Sequence, residues 1–436
     1  MISFIKATYV DVFRFTRHPW EGVKSIYKVS LYRNASYLMA NSGVTAILGV
    51  VFWIVAARFY SDADVGLGAA LISAGMLLSF IGTLGLGFGI IRFLPESNDK
   101  SRLLNSSFTI TIITSIVVAL IFLAGLPLWS PKLMFVRENP AYFAAFIGFI
   151  VAGALNIILP QVFIGFRRSG FALSRGMIFS IVKLVLVGLF AGLLKKFGIF
   201  TSWGLAVMVS SIVCLFLFLP RVLPGFQPFL NKPNKLNKEM AHFSIANFFG
   251  QTLQDAPIWI LPLMVLNLEG TETNAHFYIV WMIANLPVAI STMISLSLFA
   301  EGSSIDEHFG VNLIRSLKLT MYVLIPSAVI MFLVGDKLLL IFGKEYSEMG
   351  THLLWLLAIS AFPTSINFIY LGVARVEKKL KTIIIVTGIL AFGILISSYL
   401  SILWIGILGV GVSWLITQFV VALVTAPQLV LRLNKV

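Results

Sequence analysis

The sequence predicts an all-α polytopic membrane protein with about twelve transmembrane helices, arranged as two six-helix lobes. Three observations lead there. Of its 436 residues, 58% are hydrophobic and only 11% are charged, far more apolar than a water-soluble domain needs for its core. The apolar residues run in stretches of about 20, the length that crosses a bilayer as a helix. These stretches are continuous rather than alternating, which argues against a β-barrel. Finally, a basic loop rich in Pro and Asn, residues 221–240, falls near the middle of the chain and divides it in two.

The elements follow in order. Residues 1–33 carry Lys6, Arg14, Arg17, Lys24, Lys28 and Arg33 without a long apolar core, so they are expected to form a basic cytoplasmic segment rather than a cleavable signal peptide. Ile2, Ile5, Tyr9, Val12 and Phe13 recur at helical spacing, which suits a helix lying on the membrane as well as a solvated tail. The N-lobe, 34–220, is expected to hold spans near 35–57, 66–91, 104–128, 141–165, 173–194 and 199–219. After the linker at 221–240, the C-lobe, 241–436, holds spans near 241–266, 275–299, 314–334, 351–372, 381–403 and 406–429. An even number of helices per lobe gives both the same orientation. A pseudo-twofold axis then runs along the membrane normal, with a substrate site between the halves. A weak internal repeat supports the split. At an offset of about 206 residues Ala40-Asn41 meets Ala246-Asn247, Trp53-Ile54 meets Trp259-Ile260, and Glu96 meets Glu301.

With the N-terminus assigned to the cytoplasm, most of the 32 Lys and Arg residues collect in cytoplasmic segments. This positive-inside bias predicts a multi-pass protein of the cytoplasmic membrane with both termini inside. The net charge of +14 is then explained by topology and by attraction to anionic lipids; no nucleic-acid partner is implied. The basic clusters Arg167-Arg168 and Arg375, Lys378, Lys379 and Lys381 are expected at that face. The lone cysteine, Cys214, excludes a disulfide framework. The five histidines have no ligand spacing, so neither a metal centre nor a cofactor is expected. Gly85, Gly87 and Gly89 end an apolar span rather than following a strand, so helix packing explains them better than a nucleotide loop.

Two charges lie centrally in apolar spans, Lys183 and Asp255. A charge at bilayer depth costs roughly 2.5–3.5 kcal/mol on insertion scales, and helices that carry one usually turn it toward a partner or a wet cavity. Around Asp255, the residues Asn247, Gln251 and Gln254 share its helical face. Asn34, Asn41 and Thr45 line one face of the first span, and Gly176, Ser180 and Lys183 one face of the fifth. For the single Asn and Ser residues, interhelical hydrogen bonding is the simpler reading; the seventh span, with a carboxylate among four polar groups, points to a cavity. Pro160, Pro257, Pro262, Pro287, Pro326 and Pro363 sit inside spans and can kink them.

The stretch FWIVAARFYSDADVG (52–66), followed by GTLGLGFGIIRFLPE (82–96), resembles the polysaccharide-transport branch of the multidrug/oligosaccharidyl-lipid/polysaccharide exporter superfamily. The resemblance implies a flippase that moves polyprenyl-(di)phosphate-linked oligosaccharide between leaflets by alternating access, without catalytic residues. It implies cationic cavity residues for the phosphate: Lys183 first, then Arg92 at the cytoplasmic mouth and Arg58 near the outer end of the first helix. The remaining cavity candidates are Asp255, Gln251, Gln254, Asn247 and Asn41, with Asp255 either a coupling site for a proton or sodium ion or a partner of Lys183. Trp53, Trp259, Trp281 and Tyr278 could stack on sugar rings, although packing is the commoner use of such residues. A working monomer is expected from the internal duplication. The alternative is an ion-coupled multidrug exporter of the same superfamily. A membrane-embedded glycan polymerase would need a sizeable external loop that the chain lacks.

Overall fold

A computed structural model describes residues 30–228, 238–302, 309–377 and 379–433. The expectations for residues 1–29, for most of the linker, and for the side chains of Asn34 and Glu301 lie outside the described residues. The first half comprises α1 (Ser30–Phe59), α2 (Asp62–Thr83), α3 (Leu86–Phe93), α4 (Lys100–Trp129), α5 (Pro140–Gly165), α6 (Gly170–Phe190) and α7 (Lys195–Val213). The second comprises α8 (Lys238–Glu269), α9 (Thr271–Gly302), α10 (Phe309–Leu340), α11 (Lys344–Val376), α12 (Leu380–Ile405) and α13 (Leu408–Leu433). A π-helical turn, Cys214–Phe218, extends α7, so that its span reaches Val222. Among the described residues, eleven helices are long and apolar enough to cross a membrane. Only α8 among the expected spans falls short, although it is 32 residues long, because Asn247, Gln251, Gln254 and Asp255 lower its hydropathy.

Local chemistry sets the helix ends. Ser61 caps α2 by accepting from the Asp64 amide, with Asp62 and Asp64 in the first turn, where acidic groups oppose the helix dipole favourably. Asp99 caps α4 through the Arg102 amide. Asn139 caps α5 ahead of Pro140 at the first helical position. The expected second span, 66–91, is not continuous. Leu84 (φ 48°) and Gly85 (φ 70°) both adopt the left-handed conformation, which ends α2 and restarts the chain as α3. Glycine tolerates that backbone without cost.

Helices of each half pack mainly on one another, and the halves meet along α2 against α8 and α9, with α3 also against α8. The core sits on α2 and α11: 83% of the apolar stretch of α2 and 72% of that of α11 are buried, against 17% in α1 and α10. On α6, Gly176, Ser180, Lys183 and Val187 face inward, while Ile181, Val185 and Leu189 are exposed. Such a stripe is stable against lipid tails and not against water. The repeat has a structural counterpart at the seam. Trp53 of α1 packs on Tyr278 of α9 with centroids 4.7 Å apart, and Trp259 of α8 packs on Phe80 of α2 at 5.2 Å. Each lobe thus sends the same tryptophan into the corresponding helix of the other.

Candidate functional site: a cavity in the second half

A cavity of about 510 Å³ opens among the second-half helices. From α8 it is lined by Gln251, Gln254 and Asp255; from α9 by Trp281 and Asn285; from α11 and α12 by Thr364 and Thr387; and from α13 by Trp414 and Gln418. Ser42 of α1 also reaches it. The spacing of Gln251, Gln254 and Asp255 on a helix turns all three to one side, which is why the polar face of α8 becomes a cavity wall.

The wall is tied together. Gln251 donates to Asp255 Oδ2 at 2.8 Å, and Arg375 donates to Gln254 Oε1 at 2.8 Å. The Arg375 charge also acts on Asp255. Asn367 donates to the Gln418 carbonyl oxygen at 2.9 Å and to its Oε1 at 2.8 Å, and Thr425 donates to Asn367 Oδ1. Trp281 and Trp414 meet edge to face at 4.6 Å. The arrangement offers amide, hydroxyl and carboxylate groups beside aromatic faces, a lining suited to a hydroxyl-rich ligand.

The other candidates go elsewhere. Lys183 does not line this cavity. Its Nζ lies 4.4 Å from the ring centroid of Phe52 on α1 and 5.0 Å from that of Phe179, a cation–π setting in the α1–α6 seam. Among the described residues no ion pair joins it to Asp255, so the pairing considered from sequence is not formed; Gln251 donates to the carboxylate instead. Asn247 donates back to the Phe243 carbonyl on its own helix. Asn41 meets α6 where a Cβ on Gly176 would lie 1.8 Å from its Oδ1, so it serves helix contact. Trp53, Trp259 and Tyr278 pack against other rings, while Trp281 packs on Trp414 and also lines the cavity.

Arg58 and Arg92 lie at opposite ends of the lobe seam. At the Asp62 end, Arg58 Nε donates to the Ile341 carbonyl at 2.9 Å and its Nη2 to that of Leu340 at 3.3 Å, satisfying carbonyls left open where α10 ends. Nearby, Asn274 donates to the Gly66 carbonyl at 2.8 Å, and Tyr346 to Asp62 Oδ1 at 2.9 Å. At the opposite end the Arg92 guanidinium lies 4.7 Å from the Phe243 ring centroid. There Gly85 and Gly89 admit α8 so closely that added Cβ atoms would meet the Ser244 carbonyl at 2.3 Å and its Oγ at 2.4 Å. The glycines thus serve helix packing, as expected. The seam is closed at both ends.

Two arginines were missed as interior groups. Arg375, read from sequence as part of a lipid-facing cluster, turns inward to Gln254. Arg175, the third residue of an expected span, donates to Asn156 Oδ1, and its buried Nε has no partner among the described residues. Asn156 in turn donates to Ser210 at 2.6 Å. An arginine inside the boundary of an apolar run was the available signal for Arg175.

Similarity to known proteins agrees with this architecture. Residues 31–299 match the family described as polysaccharide biosynthesis protein. No curated protein sequence matches the chain. Among solved structures, it is similar to the lipid II flippase MurJ in an inward closed conformation, with a TM-score of 0.73, 15% identity, and 89% of this chain and 86% of that one covered. It is also similar to an inward-facing multidrug-resistance MATE family transporter of the MOP superfamily, with a TM-score of 0.68, 13% identity, and 92% and 98% covered. A MOP superfamily transporter from Pyrococcus furiosus aligns with a TM-score of 0.60 at 13% identity, covering 94% and 96%. At these identities the structural matches carry the two-lobe fold, while the match over most of the chain carries the family. The protein belongs to the polysaccharide biosynthesis protein family, and its fold is that of the MurJ and MATE structures.

Proposed function

We propose that the protein is a flippase that carries polyprenyl-(di)phosphate-linked oligosaccharide across the cytoplasmic membrane for cell-surface polysaccharide or glycoconjugate assembly. One observation carries this reading: a cavity among the second-half helices, reached also by Ser42 of α1, sets amide, hydroxyl and carboxylate groups beside a lobe seam whose helices touch at both ends. Opening one end at a time would expose it to each side in turn. In this reading both termini are cytoplasmic, the Arg92 end faces the cytoplasm and the Asp62 end faces outward.

The substrate chemistry assigns the parts. Sugar hydroxyls meet Gln251, Gln254, Asn285 and Gln418. The phosphate needs a cation in low dielectric, where Coulomb attraction is strong, and Lys183 supplies it when α1 moves off α6. The weak enclosure of α1 makes it the natural moving element. The prenyl tail stays in the bilayer. Asp255, held by Gln251, is the candidate site for a coupling proton or sodium ion. Arg58 and Arg92 act as latches of the two ends rather than as phosphate ligands. Anionic lipids meet the basic loops, and a monomer is sufficient. No covalent step is involved, so the protein is not an enzyme.

The test is flipping of a fluorescent polyprenyl-diphosphate oligosaccharide in proteoliposomes. Wild type is expected to transport, and Lys183→Ala to lose at least about tenfold, or about 1.4 kcal/mol, with normal insertion. Ion-driven movement of cationic amphiphiles without lipid-linked sugar would instead establish the multidrug reading.

A further inference from the structure

We propose that Asp62, His276 and Glu345 form a divalent-cation site of the zinc class that ties the two lobes together at the Asp62 end. One ligand comes from the first residue of α2 and two from the second half, His276 on α9 and Glu345 in the first turn of α11. Their donor atoms all lie within 4.8 Å of one another. No ligand spacing joins these residues in sequence, which is why the histidines gave no sign of a metal.

Two further features point to an ion. The first is distance. His276 Nε2 and Asp62 Oδ2 are 3.2 Å apart. Tetrahedral zinc, with bonds of about 2.0–2.2 Å to imidazole nitrogen and carboxylate oxygen, sets neighbouring donors about 3.3–3.5 Å apart. The second is orientation and charge. Tyr346 donates to Asp62 Oδ1 at 2.9 Å, which leaves Oδ2 aimed at His276, the kind of outer support that metal-bound carboxylates receive. A direct His276–Asp62 hydrogen bond explains two of the groups but not why a second carboxylate converges on them. Among the described residues neither Asp62 nor Glu345 forms an ion pair with Lys or Arg. A cation between them relieves that repulsion.

His276 is buried and Glu345 is exposed, so the site has a wet side through which an ion can enter and a water can complete the coordination. Because the ligands meet only when the lobes meet, bound ion stabilises the state in which this end is closed.

The experiment titrates the purified full-length protein in nanodiscs with zinc chloride against a chromophoric chelator, and follows the melting temperature in parallel. One site is expected, with Kd below about 10 μM, and with a zinc-dependent rise in melting temperature. Asp62→Asn, His276→Ala and Glu345→Gln are each expected to weaken it about 10- to 100-fold and to abolish the rise. Glu345→Gln alters an exposed side chain and leaves the Asp62–His276–Tyr346 contacts in place, so its loss of affinity cannot be ascribed to misfolding. No binding to wild type, or tight binding that survives Asp62→Asn or Glu345→Gln, overturns the interlobe site.

Discussion

Gly66→Val is expected to hold the lobes apart at the Asp62 end and to reduce transport at least about tenfold without impairing insertion. A Cβ at Gly66 would lie 1.7 Å from the carbonyl oxygen of Thr271, 2.7 Å from its carbonyl carbon and 3.1 Å from the Ala275 nitrogen. All three are backbone atoms at the start of α9, so no side chain can rotate aside. Overpacking a core costs typically about 1–3 kcal/mol when neighbours relax; here relaxation means moving one lobe from the other. The same movement breaks the Asn274–Gly66 hydrogen bond. A reporter cysteine replacing Asn274, which is buried in the wild type, is expected to label faster with a thiol reagent when Gly66→Val is also present. Cys214 is buried and adds little background. Gly148→Val serves as the control, since nothing lies within 4 Å of its added Cβ. Unchanged transport and unchanged labelling in Gly66→Val would remove the closed seam from the account.

Arg375→Ala is expected to damage both stability and transport, because it strips the cavity wall of its cation. Gln254 loses the donor to its Oε1, and Asp255 keeps only Gln251. A hydrogen bond to a charged group contributes about 1.5–3 kcal/mol, and removing a nearby cation from the half-buried Asp255 carboxylate adds to the loss. A lowered melting temperature is the readout, with Asp255→Asn in the same chain restoring part of it. A coupling of about 0.5–3 kcal/mol is expected in that cycle. Lys183→Ala with Asp255→Asn is expected to be additive, because Lys183 is packed on Phe52 and Phe179 and not on the carboxylate. Strong coupling between Lys183 and Asp255 would show that the two charges meet after all.

Features with a period or a length were legible in the sequence. The inward face of α6 and the cavity face of α8 follow from residues three and four apart, and the spans follow from apolar runs. The split into halves was visible in Trp53 and Trp259, whose cross-lobe packing repeats. What was not legible depends on distant segments meeting. Leu84 gives no local sign of a left-handed turn, so α2 and α3 read as one span. Arg375 belongs to a basic cluster by sequence, and only the tertiary fold, which sets the end of α11 within reach of α8, turns it toward Gln254. Asp62 and His276 lie 214 positions apart, and only the closed seam joins them. The partner of Asp255 was sought in Lys183 because it was the other conspicuous charge; the tertiary fold gave the carboxylate Gln251 and put Arg375 on the neighbouring Gln254.

The most direct test of alternating access locks each end in turn. Cysteine pairs at Arg58 and Ile341, and at Arg92 and Phe243, span the seam at its two ends and can be bridged with a short, cleavable bifunctional thiol reagent. Transport of the lipid-linked oligosaccharide is then measured before bridging, after it, and after cleavage. The account predicts that either bridge stops transport and that cleavage restores it. Continued transport with either end bridged would contradict it, because the substrate would then be crossing without that end opening.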